Sequence, residues 1–278
     1  MDRDVVNAAE ALAEAADLRS GVVTREAAEH EIADVLGRFE ATWGGGRGPD
    51  HAMIRALLHA GATVLVAVAD DEGGVDASAT PPFATPGALL GATLGFLGWN
   101  EGLHVHSHMN AVAPEARGHG IGLALKLRQR AIALAHGVDE IRWTFDPLIR
   151  RNAHLNLVRL GAEVAAYLPE FYGVIGDEIT GADRSDRFEV RWRLDAPRVE
   201  RALAGAPAPT WSGGERLALV ADFEALRRTD PVEASRLRDA SVVAFTTMAR
   251  QGLRAELDAH GDYVFTDDDP DRHDEETR

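Results

Sequence analysis

The chain has 278 residues, with 45 Asp and Glu against 29 Lys and Arg and a formal net charge of −16, long enough for one large domain or two modest ones. So acidic a chain lacks the overall field that draws in nucleic acid or an anionic membrane surface. It contains no cysteine, which excludes disulfides, Cys-ligated zinc or iron–sulfur centres, thiol redox chemistry and a cysteine acyl-enzyme, and makes a reducing cytoplasm the expected compartment.

Asp2, Arg3, Asp4, Glu10 and Glu14 leave no apolar stretch for a signal peptide, and no apolar run approaches the roughly 18 residues of a membrane span. Residues 1–21 are rich in Ala and Glu with few large apolar side chains, which predicts a weakly packed helix or a loose arm. Ile32, Val35, Leu36, Phe39 and Trp43 then recur on one helical face, and Gly44, Gly45 and Gly46 stop that helix. A short helix over 51–59 ends at Gly61, and the β-branched run 63–69 reads as a strand. The Gly, Pro, Ala and Thr content between 70 and 87 reads as a loop.

Residues 88–99 and 104–112 read as strands and 121–136 as a helix. In that helix Lys126, Gln129, Arg130 and His136 share one face while Ile121, Ala124, Leu127, Ala131, Ile132 and Leu134 fill a wide apolar arc, as in a helix laid on a sheet. Of the 29 basic residues only Lys126 is a lysine, a skew that reads as coding composition and has no functional weight in the sequence alone. Ile141, Trp143 and Phe145 alternate with polar residues in a strand that stops at Asp146 and Pro147. A helix over 151–160 ends at Gly161, and Phe188, Val190 and Trp192 mark another alternating strand. The order is that of an α/β or α+β core, with the 121–136 helix crossing from the 104–112 strand to the one at 141. Past Ala196 a Pro, Ala and Gly stretch marks a linker, followed by a strand over 216–220, a helix over 232–250 and a strand over 263–266. Residues 267–278 hold seven acids and two arginines, the composition of a disordered tail.

The strongest local signal is Arg117, Gly118, His119, Gly120, Ile121 and Gly122, between a strand and the start of a helix. Glycines there let backbone N–H groups approach a ligand at the positive end of the helix dipole, which makes an anion site. The third glycine of a dinucleotide fingerprint and the GK[ST] of a P-loop are both missing. From Ala116 to Val138 there is no acid, while Arg117, Lys126, Arg128 and Arg130 add four positive charges.

Val112, Pro114, Arg117, Gly120 and Gly122, read as V-x-P followed by R-x-x-G-x-G, resemble the acyl-CoA pyrophosphate loop of the GNAT acyltransferase superfamily. The order of elements from about 22 to 195 resembles the same fold, and the runs SHM at 107, WTFDPL at 143, NAHLNLVRLGA at 152 and DRFEVRW at 186 resemble a poorly characterised group within it. The resemblance implies a mixed, mostly antiparallel sheet with a central pair of splayed parallel strands flanked by helices. Composition sets off an N-terminal arm over 1–21, a strand-helix-strand extension over 196–266 whose Trp211, Phe223 and Phe245 call for packing on the rest, and the tail over 267–278; the resemblance itself spans an acyl-CoA-binding catalytic domain over 22–195. It further implies acetyl-CoA or another acyl-CoA as cosubstrate: pantetheine against Ala111 and Val112, pyrophosphate on the amides of Gly118, His119, Gly120, Ile121 and Gly122 beside Arg117, and Asn152 and Asn156 toward the pantetheine or thiol end.

His104, His106 and His108 at period two project to one face of their strand. An imidazole suits the amine's proton, so His106 and His108 are the candidate bases. The same pattern permits a shared metal ion, but with no cysteine and no placed carboxylate partner, no metal is expected. The tyrosine that the superfamily uses as general acid is replaced by Leu157, leaving Tyr167 and Tyr172 as substitutes, Tyr172 being the candidate taken. The expected activity is direct transfer of an acyl group, acetyl by default, to a small amine or amino acid, with neither nucleic acid nor membrane as partner and a homodimer left open. A larger acyl group such as succinyl would call on Arg142 or Arg151. The rival functions are a CoA-binding module without catalysis and a metalloprotein built on the histidine strand.

Overall fold

The computed structural model describes residues 2–46, 48–70, 85, 87–173, 176, 183–212 and 214–269. Most of the loop expected between 70 and 87, and the acidic tail beyond 269, lie outside them. Among the described residues, those up to Arg142 form one compact unit and those from Trp143 on a second, so the division falls inside a strand.

The first unit holds helices α1 (Arg3–Ser20), α2 (Ile32–Trp43), α3 (His51–His59) and α4 (Ile121–Ala135), and strands β1 (Val22–Glu26), β2 (Thr63–Ala69), β3 (Leu89–Gly98) and β4 (His104–Val112), with the beginning of β5 (Glu140–Phe145). The strands lie in the order β1-β2-β3-β4-β5. All neighbours are antiparallel except β4 and β5, which run parallel. The expected mixed sheet with one parallel pair is therefore present. On one face Ile32, Val35 and Phe39 of α2 and Ile54 of α3 pack on Val64, Val66, Ala92, Leu94, Met109 and Ala111. The alternate β2 residue Thr63 instead meets α4, with Gln129 Nε2 donating to its Oγ1 at 2.8 Å, so α4 covers the opposite face.

One expectation changes here. The N-terminal arm is a well-packed helix. Ala9, Ala13 and Ala16 are buried on one stripe of α1, which packs on α4. Small side chains that look too weak to make a core permit close helix approach. Arg128 of α4 fastens the contact, pairing with Glu10 and with Asp17 at 3.1 Å. The polar face of α4 is enclosed as well: Lys126, Gln129 and Arg130 are 3 %, 0 % and 5 % exposed. With the sheet on one side and α1 on the other, α4 is enclosed nearly all round, and its polar stripe faces inward.

In the second unit the order is β5-β7-β6, with β6 (Glu163–Leu168) and β7 (Arg187–Arg193) antiparallel. Phe188, Val190 and Trp192 of β7 are fully buried, as their alternation predicts. The expected 151–160 helix is a short α5 (Arg150–Ala153) that widens into a π-helical turn at His154–Arg159, followed by Gly161 at φ 68. Beyond it come α6 (Pro197–Leu203), β8 (Arg216–Leu217), α7 (Phe223–Thr229), α8 (Pro231–Arg250), β9 (Arg254–Leu257) and β10 (Tyr263–Thr266). The last three strands form a second antiparallel sheet in the order β8-β10-β9. The C-terminal segment thus has α6, α7 and β9 besides the strand, helix and strand expected.

The C-terminal elements share a core with the rest of this unit. Phe245 of α8 packs against Tyr167, Phe188, Tyr263 and Phe265, and Tyr263 Oη donates to the Pro147 carbonyl at 2.9 Å. Arg238 of α8, 1 % exposed, donates to both oxygens of Asp146 at 2.9 and 2.7 Å and to Asp183 at 2.8 Å. The first residues of the acidic tail are held, Asp268 by Ser212 and Asp269 by Arg254 at 2.6 Å.

Candidate functional site

The β4–β5 ladder consists, among the described residues, of Val105 opposite Ile141 and His106 opposite Arg142. β4 continues six residues further, to Val112, with its other edge still paired to β3. From Ser107 on, the edge that faced β5 has no strand partner among the described residues, so its backbone groups are open to an extended ligand in the manner of an added strand. A tight turn at Pro114–Ala116 then brings the chain through Arg117, Gly118, His119 and Gly120, all exposed, into α4. Gly118 and Gly120 stand at φ 87 and 85, in the left-handed region, where a β-carbon is unfavourable. A β-carbon on Gly120 would also lie 2.8 Å from Ser20 Oγ. The first turn of α4 contains no acid and no side-chain cap, so its N–H groups keep their anion-binding potential. Ala111, Val112 and residues 117–122, the expected CoA contacts, thus form one continuous path from open strand edge to helix start.

Of the three histidines, His106 and His108 stay together and His104 turns away. His104 turns back over the β3–β4 connection, its Nδ1 2.9 Å from the Gly102 carbonyl. At His108 the register with β3 slips, since Ser107 lies opposite Gly95 and Met109 opposite Leu94, leaving His108 as a bulge. The His106 and His108 rings are 6.0 Å apart and both lie against Phe96, at 5.4 and 6.0 Å. Burial, followed by the charges on His108, His104 and Lys126, pushes the His106 imidazole down to about 4. Desolvation pushes His108 down as well. Both rings are neutral near pH 7. Among the described residues no group of three His, Asp or Glu side chains could hold a metal ion.

The bulge also decides what lies behind β4. Ser107 and Asn110 point to α4, Ser107 accepting from Lys126 Nζ at 2.7 Å and Asn110 donating to the Gly122 carbonyl at 3.3 Å. Strict alternation would put them on opposite faces; the extra residue at the bulge puts them on one. Lys126 is the functional candidate that sequence reading passed over. The available signal was its place in a segment without acids, at i and i+3 with Gln129 on a helix otherwise apolar enough to be enclosed.

The remaining candidates, Arg142 apart, belong to the second unit. Asn156 is buried and its Oδ1 accepts from Trp143 Nε1 at 3.3 Å, while Asn152 is half-buried in α5. The widening to a π-turn between them removes the shared face that four-residue spacing gives an α-helix. Leu157 is buried. Tyr172 is exposed, its hydroxyl 3.0 Å from Thr144 Oγ1 and its ring under Arg187. Tyr167 donates to Asp186 at 3.0 Å, and burial, with the Asp186 charge, raises its hydroxyl well above the ordinary tyrosine value. Arg142 is committed within the first unit to the Asn100 and Glu101 carbonyls, at 2.9 and 3.0 Å, and to Glu140. Arg151 is paired with Glu224.

No family model matches the sequence and no curated protein matches it. Among solved structures the chain is similar to an N-acetyltransferase from Staphylococcus aureus Mu50, with 15% identity over 63% of this chain and 100% of that one and a TM-score of 0.47. It is similar to Naa20 of Chaetomium thermophilum, solved with a bisubstrate analogue, with 18% identity over 66% of this chain and 90% of that one and a TM-score of 0.46. A third is a GNAT superfamily phosphinothricin acetyltransferase from Sinorhizobium meliloti in complex with acetyl-CoA, with 18% identity over 62% of this chain and 87% of that one and a TM-score of 0.44.

Proposed function

We propose that the protein is an acyl-CoA-dependent N-acyltransferase of the GNAT type, passing an acetyl group directly to a small amine or amino acid. The observation that carries this reading is the continuity of two binding devices on one stretch of chain. An unpaired strand edge from Ser107 to Val112 runs into an exposed, left-handed glycine turn at the acid-free start of α4. An extended pantetheine arm with amide donors and acceptors suits the first, and a pyrophosphate suits the second. When bound, acyl-CoA supplies the thioester. Gly118 and Gly120 bring the backbone close to the pyrophosphate, and Arg117 adds charge beside it.

The histidines supply the place for the amine's proton. His106 at about 4 is neutral but a weak base, and His108, exposed at the bulge, is the better placed of the two to take a proton directly or through water. The occupied guanidiniums of Arg142 and Arg151 favour acetyl over an acyl group with its own carboxylate. The acidic surface disfavours nucleic acid as acceptor.

Incubation with acetyl-CoA and a panel of amines, following free thiol, tests the reading, and the absence of cysteine removes any background from the protein. Thiol release with at least one amine is the expected result. A thermal shift with CoA but no release from any amine replaces the enzyme with a CoA-binding module, and no shift at all removes the CoA reading.

A further inference from the structure

Lys126 is the chain's one lysine, and it lies almost wholly inside the first unit, its Nζ donating to Ser107 Oγ at 2.7 Å. Ser107, itself buried, is the first β4 residue past the last rung of the β4–β5 ladder and stands next to the His108 bulge. An amine in this position is costly. It gives up its hydration and its side-chain freedom, whereas a methionine of similar length would fill the same space without a charge. Burial lowers the Lys126 ammonium to about 7, so near neutral pH it both holds and releases a proton.

The elements packed on α4 bring few groups that compete for it. On β4 these are His104, His106 and His108, the last two neutral near pH 7. β2 and β3 have no charged or titratable residue. On β1, Arg25 is paired with Glu31, and Glu26 is exposed. On α1, Glu10 and Asp17 are engaged by Arg128, while Arg3, Asp4, Glu14 and Arg19 complete its charged set. Arg130 is the buried cation on α4 itself.

We infer that Ser107 donates a proton to the thiolate that leaves acyl-CoA and that Lys126 is the positioning residue that supplies it, an inference that rests on the acyl-CoA reading of the site. In the transfer the amine nitrogen bonds to the thioester carbonyl carbon and the carbon–sulfur bond breaks, its electron pair staying on sulfur. Sulfur takes the Ser107 hydroxyl proton, and the Lys126 ammonium replaces that proton across their hydrogen bond. The amine's surplus proton leaves through His108 or water, and solvent reprotonates Lys126. The proton donor is thereby placed at the open strand edge, with no role for a tyrosine at Leu157.

A single lysine makes the test direct. Lysine-selective ¹³C labelling gives one side-chain Cε signal whose shift reports the ammonium, titrated with the protein alone, with CoA, and with desulfo-CoA, which lacks the thiol. CoA is expected to raise the Lys126 midpoint by about one pH unit relative to desulfo-CoA, because a nearby thiolate stabilises the ammonium. Equal titrations with both ligands bound overturn the inference and leave the acyl-CoA reading standing. Failure of both ligands to bind removes that reading, and the inference with it. In turnover, Lys126→Met and Ser107→Ala should each lower kcat at least tenfold with KM for acetyl-CoA unchanged, and Lys126→Met should abolish the alkaline limb of kcat. Where Lys126→Met does not fold, Ser107→Ala and the titration decide, and an unchanged kcat in Ser107→Ala refutes the relay.

Discussion

Gly118 and Gly120 provide an internally controlled test of the α4 entrance. Both have left-handed backbone, at φ 87 and 85, so an alanine at either is strained by on the order of 1–2 kcal/mol. They differ in surroundings. A β-carbon on Gly118 meets nothing within 4 Å, whereas one on Gly120 lies 2.8 Å from Ser20 Oγ, on a buried side chain at the end of α1. Gly120→Ala must therefore turn or displace Ser20, which adds about 0.5–1.5 kcal/mol, the cost of an off-rotamer side chain. Gly118→Ala is expected to lose about 1–2 kcal/mol and Gly120→Ala about 2–3 kcal/mol by urea denaturation. Ser20→Ala removes the offending oxygen, so the Gly120→Ala/Ser20→Ala double variant should recover the difference between the two single glycine variants but not the backbone part. Calorimetry with CoA completes the assay, both glycine variants binding more weakly because the turn carries the proposed pyrophosphate contacts. Equal losses for Gly118→Ala and Gly120→Ala, with no recovery on Ser20→Ala, would refute the close approach of Ser20 to Gly120.

Gly95→Ala should destabilise by about 1–3 kcal/mol through overpacking, because its β-carbon would lie 2.4 Å from Gln129 Nε2 and 2.7 Å from Thr63 Oγ1; an unchanged urea midpoint would contradict the close approach of α4 to β3. For Asp146, burial alone would raise the carboxyl, but the charge and hydrogen bonds of Arg238, with Arg187 and the Leu148 N–H, hold it below the ordinary aspartate value. Its contribution is thus present at pH 7 and lost as pH falls below about 4. Arg238→Met should accordingly lose about 3 kcal/mol at pH 7, and the gap to the parent protein should narrow toward pH 3; a gap independent of pH would contradict the pairing. His106 is pushed from 6.5 down to about 4 in the folded chain, so the unfolded chain binds the extra proton and stability falls by up to about 3 kcal/mol as pH drops through that window. His106→Gln should flatten this slope in urea titrations at pH 7, 5.5 and 4.5, and a slope equal to the parent's would show that other groups cause it. In Lys126→Met the His106 midpoint, followed by NMR, should move up from about 4 without reaching 6.5, since burial is the larger cause; no movement would mean that the two groups do not sense each other.

The elements around the site were readable because their periodicities are clean. The boundaries of β2 and β4 follow from β-branched content and alternation, and α4 follows from its glycine entrance. β1 and β6 were not read as strands: β1 is only five residues long, and β6 has no clean alternation of buried and exposed residues. α1 looked weak because hydrophobic scales reward bulk, whereas Ala9, Ala13 and Ala16 contribute closeness. The usual rule for amphipathic helices would put the polar stripe of α4 in solvent, but that rule assumes one open side. An N-terminal helix packed over α4 removes that side, and its contact depends on pairs more than 100 residues apart, such as Arg128 with Asp17.

The histidine stripe shows where period-two reasoning fails. It assumes an uninterrupted ladder, and β4 inserts one residue at His108. His106 and His108 still lie together beside Phe96, as period two predicts, but the insertion puts Asn110 on the α4 side with Ser107. The proposed base and the proposed proton donor thereby come to stand within three consecutive residues of one strand. The Lys126 charge is among the causes that depress His106, so a proton leaving Lys126 raises the basicity of His106. In the proposed transfer, loss of the Lys126 proton thus makes His106 a better acceptor, through the field alone.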